Sequence, residues 1–397
     1  MGAVEIGANH MPHTSGALPR GVVVLLGLAS ATIVAIGISG LRGILAPVLL
    51  TLILTICAHP ARAYVQKRGV PQGLATGAVI AVMFAFLAGF VVTVFIAVGH
   101  FVEMLPRYAS QFEEMGQNIG VRLGSLGISQ DQVSALVSSI DPRNVMALVT
   151  DAVGGVFSIS GALVIVLTMM ILMSADAVYV PTILHQLGAK APDLVTALTD
   201  YASNVRRYMV VTTGLGIVQG VLNALALWIM HVPAALLWGL LAFLCSFIPN
   251  VGYFFALVPP MVFGFLVGGW PTLIAVVVIY AVINAVVQSI IQPRVVGQAV
   301  SLSQSVTFFS VLFWAVVMGP VGAILAIPFT LFGKALLIDS DPSARFWRPA
   351  LGPTGETRSI KKQEDVESKH TRQLAHSAAR ARARAGKRGS APDKPLR

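Results

Sequence analysis

The chain has 397 residues, of which 56% are hydrophobic and only 11% are charged, and its mean hydropathy is +0.80. Soluble domains carry about 25% charged residues, so the composition excludes a soluble globular protein and predicts a membrane protein with several spans. The two cysteines, Cys57 and Cys245, both stand in apolar runs, which excludes a disulfide framework and a cysteine-based metal site.

Apolar runs in the first part of the chain predict transmembrane helices. Residues 1–20 are polar and lack the pattern of a cleavable signal peptide, so we assign them to an N-terminal cytoplasmic segment. Residues 21–101 hold three apolar runs, each long enough or nearly so to cross a hydrocarbon core of about 30 Å as a helix. The sequence therefore predicts three transmembrane helices here and an all-α, polytopic transmembrane helical bundle for the whole fold.

A polar interruption follows these three helices. Residues 102–151 carry acids and arginines, and their apolar positions recur at three- and four-residue steps, which predicts a short extramembrane segment of amphipathic helices. Residues 152–174 predict a further transmembrane helix. Residues 175–207 are polar again and predict a cytoplasmic helical segment that ends at Arg206-Arg207, where the next apolar run begins.

Residues 208–338 form the predicted transmembrane core, and turn residues interrupt it. From Tyr208 to Pro293, 86 consecutive residues include no Asp, Glu, Lys or Arg, yet the stretch FIPNVGYFF holds a proline, an asparagine and a glycine. The apolar pieces on either side, 234–248 and 254–268, would each reach only about 22 Å as helix, short of the roughly 30 Å needed. Two half-length helices joined by a turn predict a re-entrant hairpin, which is tolerated at membrane depth only where protein or water covers it.

A second stretch, 306–338, contains similar breaks, which predicts a second broken helical hairpin. They fall at Gly319-Pro320 and again at Pro328, and Val-Gly pairs stand 70 residues apart in the two stretches. Paired broken segments in the two halves of a transporter repeat usually form its substrate site. Chance similarity between turns, and full spans instead of hairpins, are the alternatives. The predicted hairpin turns contain four residues: Pro249, Val251, Pro320 and Val321.

Amide side chains mark a second feature of the core. On one apolar run, Asn284 and Gln288 are one helical turn apart and Gln292 continues the same face, and Gln219 and Asn223 show the same spacing earlier. Amides can donate and accept hydrogen bonds, which suits an uncharged polar solute, but amides also hold helices together. The predicted substrate path comprises Gln219, Asn223, Asn250, Gly252, Asn284, Gln288, Gln292 and Gly322.

Basic residues set the predicted orientation. Lys and Arg flank the cytoplasmic ends of spans, and this rule places both termini of the chain in the cytoplasm. Residues 339–397 predict a disordered basic tail, in which residues 358–397 hold twelve Lys or Arg against four acids. This tail is suited to contact anionic lipid head groups, with a solvated tail as the alternative. Because no folded nucleic-acid-binding domain accompanies the tail, we expect no nucleic-acid partner.

Short motifs stand in order through the second half of the chain. They are Val232-Pro233, Ile248-Pro249-Asn250-Val251-Gly252, Gln292-Pro293 with Val296-Gly297, and Gly319-Pro320-Val321-Gly322 with Pro328. In these motifs the chain resembles the autoinducer-2 exporter family of bacterial membrane proteins, strongly over about 150 residues and more loosely over residues 44–75. The resemblance implies a multi-pass carrier of the bacterial inner membrane, in a family linked to export of the quorum signal autoinducer-2 or to sodium/proton antiport.

The first functional hypothesis is a carrier that moves a small polar or weakly polar solute between the two hairpins. The alternative is a sodium (cation)/proton antiporter, which normally needs an ionisable group at membrane depth, whereas residues 208–338 offer only Arg294 and Lys334 and no acid. A non-transporting scaffold would leave the hairpins without a role. No set of catalytic or metal-ligating residues is apparent, so we expect no enzyme activity, cofactor or metal. The expected partners are membrane lipids, the solute and further copies of the chain in a homo-oligomer.

Overall fold

A computed structural model places most of the chain. It describes residues 19–108, 110–111, 114, 161–249, 251–292, 302–352, 357 and 359–369. Within these ranges every regular element is a helix. Six of the helices are long and apolar enough to cross a membrane, or seven when one bent pair counts as a single span. The all-α, multi-pass architecture predicted from the sequence is therefore confirmed.

The first three helices are α1 (Arg20–Gly40), α2 (Arg42–Lys67) and α3 (Gln72–Met104). Each contains one of the three apolar runs. Helix α2 continues beyond its apolar run, through Pro60, and ends at Lys67. The end of an apolar run marks where the chain leaves the lipid, and a helix does not have to end there.

Helices α4 (Gly161–Asp176) and α5 (Val180–Gly188) form a bent pair, with an angle of 58° between them. Most of the predicted amphipathic segment, residues 102–151, lies outside the described residues. Helix α6 (Pro192–Ile229) follows and has 38 residues, which is about 57 Å of helix. It passes through Arg206-Arg207 without a break, so residues 192–207 of the polar segment and the next apolar run belong to one helix.

Helices α7 (Ala235–Cys245) and α8 (Gly252–Asn284) contain the first hairpin. Helix α7 has only 11 residues, or about 16 Å, roughly half of the hydrocarbon core. Helix α8 is broken at Gly269, where φ is 63° and ψ is −152°, a combination open almost only to glycine. The second limb of the first hairpin is therefore residues 252–268, and residues 270–284 form a separate helical segment.

The chain continues from α8 into a π-helix, Ala285–Ile291. Helix α9 (Gln304–Ile324) is broken at Gly319, whose φ of 69° and ψ of −153° nearly repeat the values at Gly269. Four helical elements follow: α10 (Ala326–Lys334), a π-helix (Ala335–Asp339), a 3-10 helix (Pro342–Trp347) and α11 (Arg348–Leu351). Residues 359–369 are helical as well, so the tail predicted to be disordered from residue 339 contains helix at 342–351 and 359–369.

The second hairpin consists of residues 304–318 and α10, with its turn between Gly319 and Leu325. The break at Gly319 lies where the sequence predicts one. The further break expected at Pro328 is wrong, because the helix is interrupted at Leu325 and Pro328 lies in the first turn of α10. The N–H groups of a first turn have no partner within the helix, so proline is tolerated there.

Both hairpins pack along α6, in opposite directions. The base of the first hairpin meets the C-terminal end of α6, where Leu227 joins Trp238 and Phe263 in one apolar cluster. The base of the second hairpin meets the N-terminal end of α6, where the rings of Tyr201 and Phe332 lie 5.4 Å apart. The two bases therefore lie at opposite ends of α6, which is an inverted arrangement.

Candidate functional site

The turn of the first hairpin brings two limbs into close contact at Gly252. The rings of Trp238 and Phe263, one on each limb, lie 5.6 Å apart. The chain therefore reverses direction about midway along the sequence between these two residues. A Cβ atom on Gly252 would lie 2.8 Å from the carbonyl carbon of Cys245. Only a residue without a side chain fits at this approach.

The predicted turn residues Pro249 and Val251 lie within this reversal. The Val251 N–H donates to the Pro249 carbonyl at 2.8 Å, and the Gly252 N–H donates to the Ile248 carbonyl at 3.0 Å. These two bonds satisfy backbone groups that would otherwise be unpaired between the limbs. Asn250 lies outside the described residues, so its assignment to the substrate path stays a prediction.

The turn of the second hairpin repeats the close approach at Gly322. The Trp314 indole N–H donates to the Thr330 hydroxyl at 3.1 Å, and the ring of Trp314 lies 5.0 Å from that of Phe329. A Cβ atom on Gly322 would lie 2.8 Å from the carbonyl carbon of Trp314. The glycines of the two Val-Gly pairs, 70 residues apart in the sequence, thus make equivalent contacts.

Both turns lie beside the middle of α6. Tyr208 is buried in an apolar cluster that also contains Phe247 from the first turn and Met318 and Leu325 from the second. The Tyr208 hydroxyl donates to the Phe247 carbonyl at 3.5 Å, which is a weak hydrogen bond. The two remaining predicted turn residues lie in the helical segment after the Gly319 kink: Pro320 and Val321.

The amides predicted to line a path come together where α6 faces α8. The Gln219 Nε2 donates to the Asn284 Oδ1 at 3.5 Å. Gln219 is 4% exposed, Asn223 is 1% exposed and Asn284 is half-buried. Amides from two distant parts of the sequence are therefore neighbours in the fold.

Several polar atoms here have no hydrogen-bond partner among the described residues. They are the Gln219 Oε1, both amide atoms of Asn223 and the hydroxyl of Tyr280. Tyr280 is 2% exposed and stands one turn before Asn284 on α8. Leaving a buried polar group unpaired costs about 1–3 kcal/mol. We call these four residues, Gln219, Asn223, Tyr280 and Asn284, the polar cluster, and it offers donors and acceptors that the described protein leaves unused.

Gln288 and Gln292 continue from the polar cluster toward the end of the α8 segment. Both are half-buried. The sequence predicts them on one α-helical face with Asn284, but Gln288 lies in the π-helix Ala285–Ile291. The wider π-turn changes the angle between these side chains, and single π-turns are frequent at functional sites.

Close packing of α7 on α6 places the first hairpin beside the polar cluster. A Cβ atom on Gly220 would lie 2.7 Å from the Gly239 carbonyl oxygen, and one on Gly216 would lie 3.2 Å from the Phe243 ring. The absence of side chains at these two α6 positions lets α7 approach closely. Gln219 stands next to Gly220 on α6, so its amide lies at the edge of this contact.

Two features of this site escape the sequence reasoning. Tyr280 could have been found by its spacing, because it stands four residues before Asn284 and so shares its helix face. The kink at Gly269 also leaves a signal, since Gly268-Gly269 is followed closely by Pro271. A proline beside a glycine pair inside a long apolar run predicts a break, and that break ends the second hairpin limb.

Charged groups stand apart from the polar cluster, at the base of the second hairpin. Asp339 accepts from Lys334 Nζ and from Arg348 Nε, at 2.7 Å each. Arg345 pairs with Asp193 at the start of α6. In the part of the chain that the structure describes, no three His, Cys, Asp or Glu residues gather where they could hold a metal ion. The candidate site is therefore built from neutral hydrogen-bonding groups.

Comparison with known proteins extends the resemblance over most of the chain. The family model described as AI-2E family transporter matches residues 22–340. The AI-2 transport protein TqsA of Escherichia coli is 27% identical over 316 residues, covering 80% of this chain and 91% of that protein. The putative transport protein YhhT of Escherichia coli is 27% identical over 311 residues, covering 78% and 88%. A putative transport protein of Haemophilus influenzae is 26% identical over 336 residues, covering 81% and 94%. The chain belongs to the AI-2E family of transporters.

Proposed function

We propose that the protein carries a small polar or weakly polar solute across the bacterial cytoplasmic membrane, along a path between the two hairpins. The observation that carries this proposal is the polar cluster, in which Gln219, Asn223 and Tyr280 bury polar atoms without partners among the described residues. A solute that binds there would supply the missing hydrogen bonds. The proposed path continues along Gln288 and Gln292 and past the turns at Gly252 and Gly322.

The chemistry of the polar cluster favours an uncharged solute. Amide and phenol groups both donate and accept hydrogen bonds without carrying charge. Residues 208–338 contain no acid that could bind and release a cation or proton, which disfavours the alternative of sodium/proton antiport. The Escherichia coli relative named an AI-2 transport protein makes AI-2 the first solute to test.

The two hairpins would provide the structural basis for alternating access, in which the path opens to one side of the membrane at a time. Each is formed by short helical limbs, and their bases lie at opposite ends of α6. In transporters built from inverted repeats, broken helices surround the substrate and one repeat moves against the other. In this proposal each hairpin closes the path from one side, with both termini of the chain in the cytoplasm.

Uptake and release by proteoliposomes tests the proposal. Purified protein is reconstituted, and transport of AI-2 and a panel of small neutral solutes is measured with and without sodium and pH gradients. Asn223→Leu should abolish transport of the accepted solute, because it removes two hydrogen-bonding atoms of the path. The control is Gln304→Leu, which removes an exposed amide at the start of α9.

Thermal unfolding in detergent separates this role from helix packing. Asn223 leaves both amide atoms unpaired among the described residues, so replacing it with leucine should leave the melting temperature unchanged or raise it. A lower melting temperature with transport falling only in step with folded protein would instead assign Asn223 to helix packing. Sodium-dependent proton movement without solute transport would favour the antiporter.

A further inference from the structure

We propose that a groove between α2, α3 and α4 binds a membrane phospholipid with an anionic head group, as a site separate from the polar cluster. The groove consists of two adjoining cavities that share the lining residues Thr76, Ile80 and Ser174. The larger cavity, between α3 and α4, has a volume of about 770 Å³ and the smaller, which reaches α2, about 30 Å³. We call the whole feature the α3–α4 groove.

The α3–α4 groove has the depth of one membrane leaflet. Its α3 wall runs from Gln72, the first residue of the helix, to Phe84. Twelve residues of helix rise about 18 Å, slightly more than half of the roughly 30 Å hydrocarbon core. The facing wall, from Leu167 on α4 to Val178 two residues after its end, is matched in length. A single acyl-chain layer therefore fits this groove from the interface to the membrane centre.

The α3 wall is open because it is built from small residues. Gly73 and Gly77 line the larger cavity one turn apart. A Cβ atom on either glycine would meet no other described atom within 4 Å. Ile80, Phe84 and Ile171 give the inner part of the groove an apolar surface, which suits hydrocarbon.

The interface end of the groove is cationic. Arg62 lines the smaller cavity beside His59, and Arg206 of α6 brings a second positive charge to the same end of α2. The Arg206 Nε donates to the Ile56 carbonyl at 3.0 Å, which holds its guanidinium beside α2. Asp176, the last residue of α4, lies between the lining residues Ala175 and Ala177, but it is exposed and does not line either cavity.

Polar groups at the same end complete a head-group site. Thr55, Thr76 and Ser174 line the smaller cavity with the two basic side chains. The Thr55 hydroxyl is buried and has no hydrogen-bond partner among the described residues. Basic pockets between transmembrane helices on the cytoplasmic side bind anionic lipid head groups, and the positive-inside rule puts this end of α2 and α3 on that side. Charge and depth together favour a phospholipid over a soluble anion.

Lipid retention by the purified full-length protein tests this proposal without using transport. Protein in detergent is mixed with equal amounts of phosphatidylglycerol and phosphatidylcholine, and bound lipids are counted by native mass spectrometry. The wild type should retain phosphatidylglycerol preferentially. Arg62→Gln should lower this preference about fivefold, as expected for the loss of one basic residue at a head group. Arg68→Gln, which removes an exposed arginine stacked on Tyr64, should leave it unchanged.

A second pair of variants tests the acyl-chain part. Gly77→Leu should fill the groove and abolish retention of both lipids without a protein clash, whereas Gly89→Leu, at an equally open α3 position outside the groove, should not. Inorganic phosphate added at the same concentration should not compete. Equal lipid retention by all four variants, or competition by phosphate, would overturn the proposal. Detection of the protein only as a lipid-free dimer would also overturn it, because a second copy of the chain would then cover the groove.

Discussion

The carbonyl group of Cys245 fills the space that a side chain on residue 252 would need, and the carbonyl group of Trp314 does the same at residue 322. In each hairpin, the end of one limb therefore lies directly against the start of the returning chain. The limbs touch through backbone atoms at these points, so backbone contact fixes the turns. The contact depends on glycine at both positions.

Alanine substitutions test this contact. Gly252→Ala and Gly322→Ala should each lower the free energy of unfolding by about 1–3 kcal/mol, the usual cost of forcing atoms into a packed site. Transport should fall with it. Gly333→Ala in α10 is the matched control, because a Cβ atom there meets no described atom within 4 Å. Gly264 would be a poor control, since its Cβ would lie 3.0 Å from the Val276 side chain. Equal melting temperatures for all three variants would contradict the contact.

The paired amides make a second prediction. Replacing Asn284 and Gln288 together with leucine should abolish transport while leaving folding and membrane insertion intact. The Gln219–Asn284 hydrogen bond is long, at 3.5 Å, so a double-mutant cycle between these two residues should give a coupling of at most about 0.6 kcal/mol. Thermal unfolding in detergent measures it. A coupling well above that value would show that the amides hold α6 and α8 together.

The two turns are predicted to approach each other, and cross-linking measures this. Cysteine at residue 252 would disturb the turn, so the neighbouring side chains Val251 and Val321 are the better sites. In a background with Cys57 and Cys245 replaced, Val251→Cys and Val321→Cys should cross-link through a short bifunctional reagent within one protomer. The pair Val251→Cys and Val316→Cys is the control, because Val316 is 79% exposed and faces away from the cluster around Tyr208. Free labelling of residue 251 from the cytoplasm would show a full crossing instead of a hairpin.

Orientation is tested by labelling in intact cells. A cysteine at Ser138 should react with an impermeant thiol reagent from outside, and one at Ser390 should react only after the cells are opened. The reason is the distribution of basic residues, which predicts that residues 102–151 face outward and that the tail faces the cytoplasm. Reversed labelling would exchange the sides from which the two hairpins enter.

The ion pairs at the base of the second hairpin give a stability prediction. Asp339 is 18% exposed and accepts from both Lys334 and Arg348. Asp339→Asn should destabilise the protein by about 1–3 kcal/mol, since it leaves the mostly buried Lys334 ammonium without its counter-ion. Asp200→Asn, at an exposed position of α6, should change the melting temperature little. Restored stability in Lys334→Met with Asp339→Leu would confirm that the cost lies in the unpaired charge.

The sequence predicts the hairpins best where glycine and proline stand together. The Gly319 break follows from such a pair, because this backbone conformation is closed to other residues. The length of α6 could not be predicted, because Arg206-Arg207 marks the expected boundary between water and lipid, and a helix can continue through such a boundary. The π-helix that holds Gln288 is equally hidden, since an inserted backbone turn leaves no residue-type pattern.

For the amides, the sequence predicts which residues share a helix face but not which helices face each other. The four-residue spacing of Gln219 and Asn223 correctly places them on one face, but the sequence contains nothing that pairs this face with Asn284. That pairing depends on the chain reversing at Gly269, which aligns residues 270–284 with α6. Tertiary contacts of this kind follow from the positions of turns, and one of the turns was not expected.

The continuity of α6 has a mechanical consequence. With 38 residues it is about 57 Å long, nearly twice the thickness of the membrane core, so it is longer than a span needs to be. The base of the first hairpin packs near one end of α6 and the base of the second packs near the other end. Both turns pack near the middle of the helix, around Tyr208. If α6 tilts about the region around Tyr208, the two hairpin bases move in opposite directions. In the proposed transport cycle, this movement would couple opening on one side of the membrane to closing on the other.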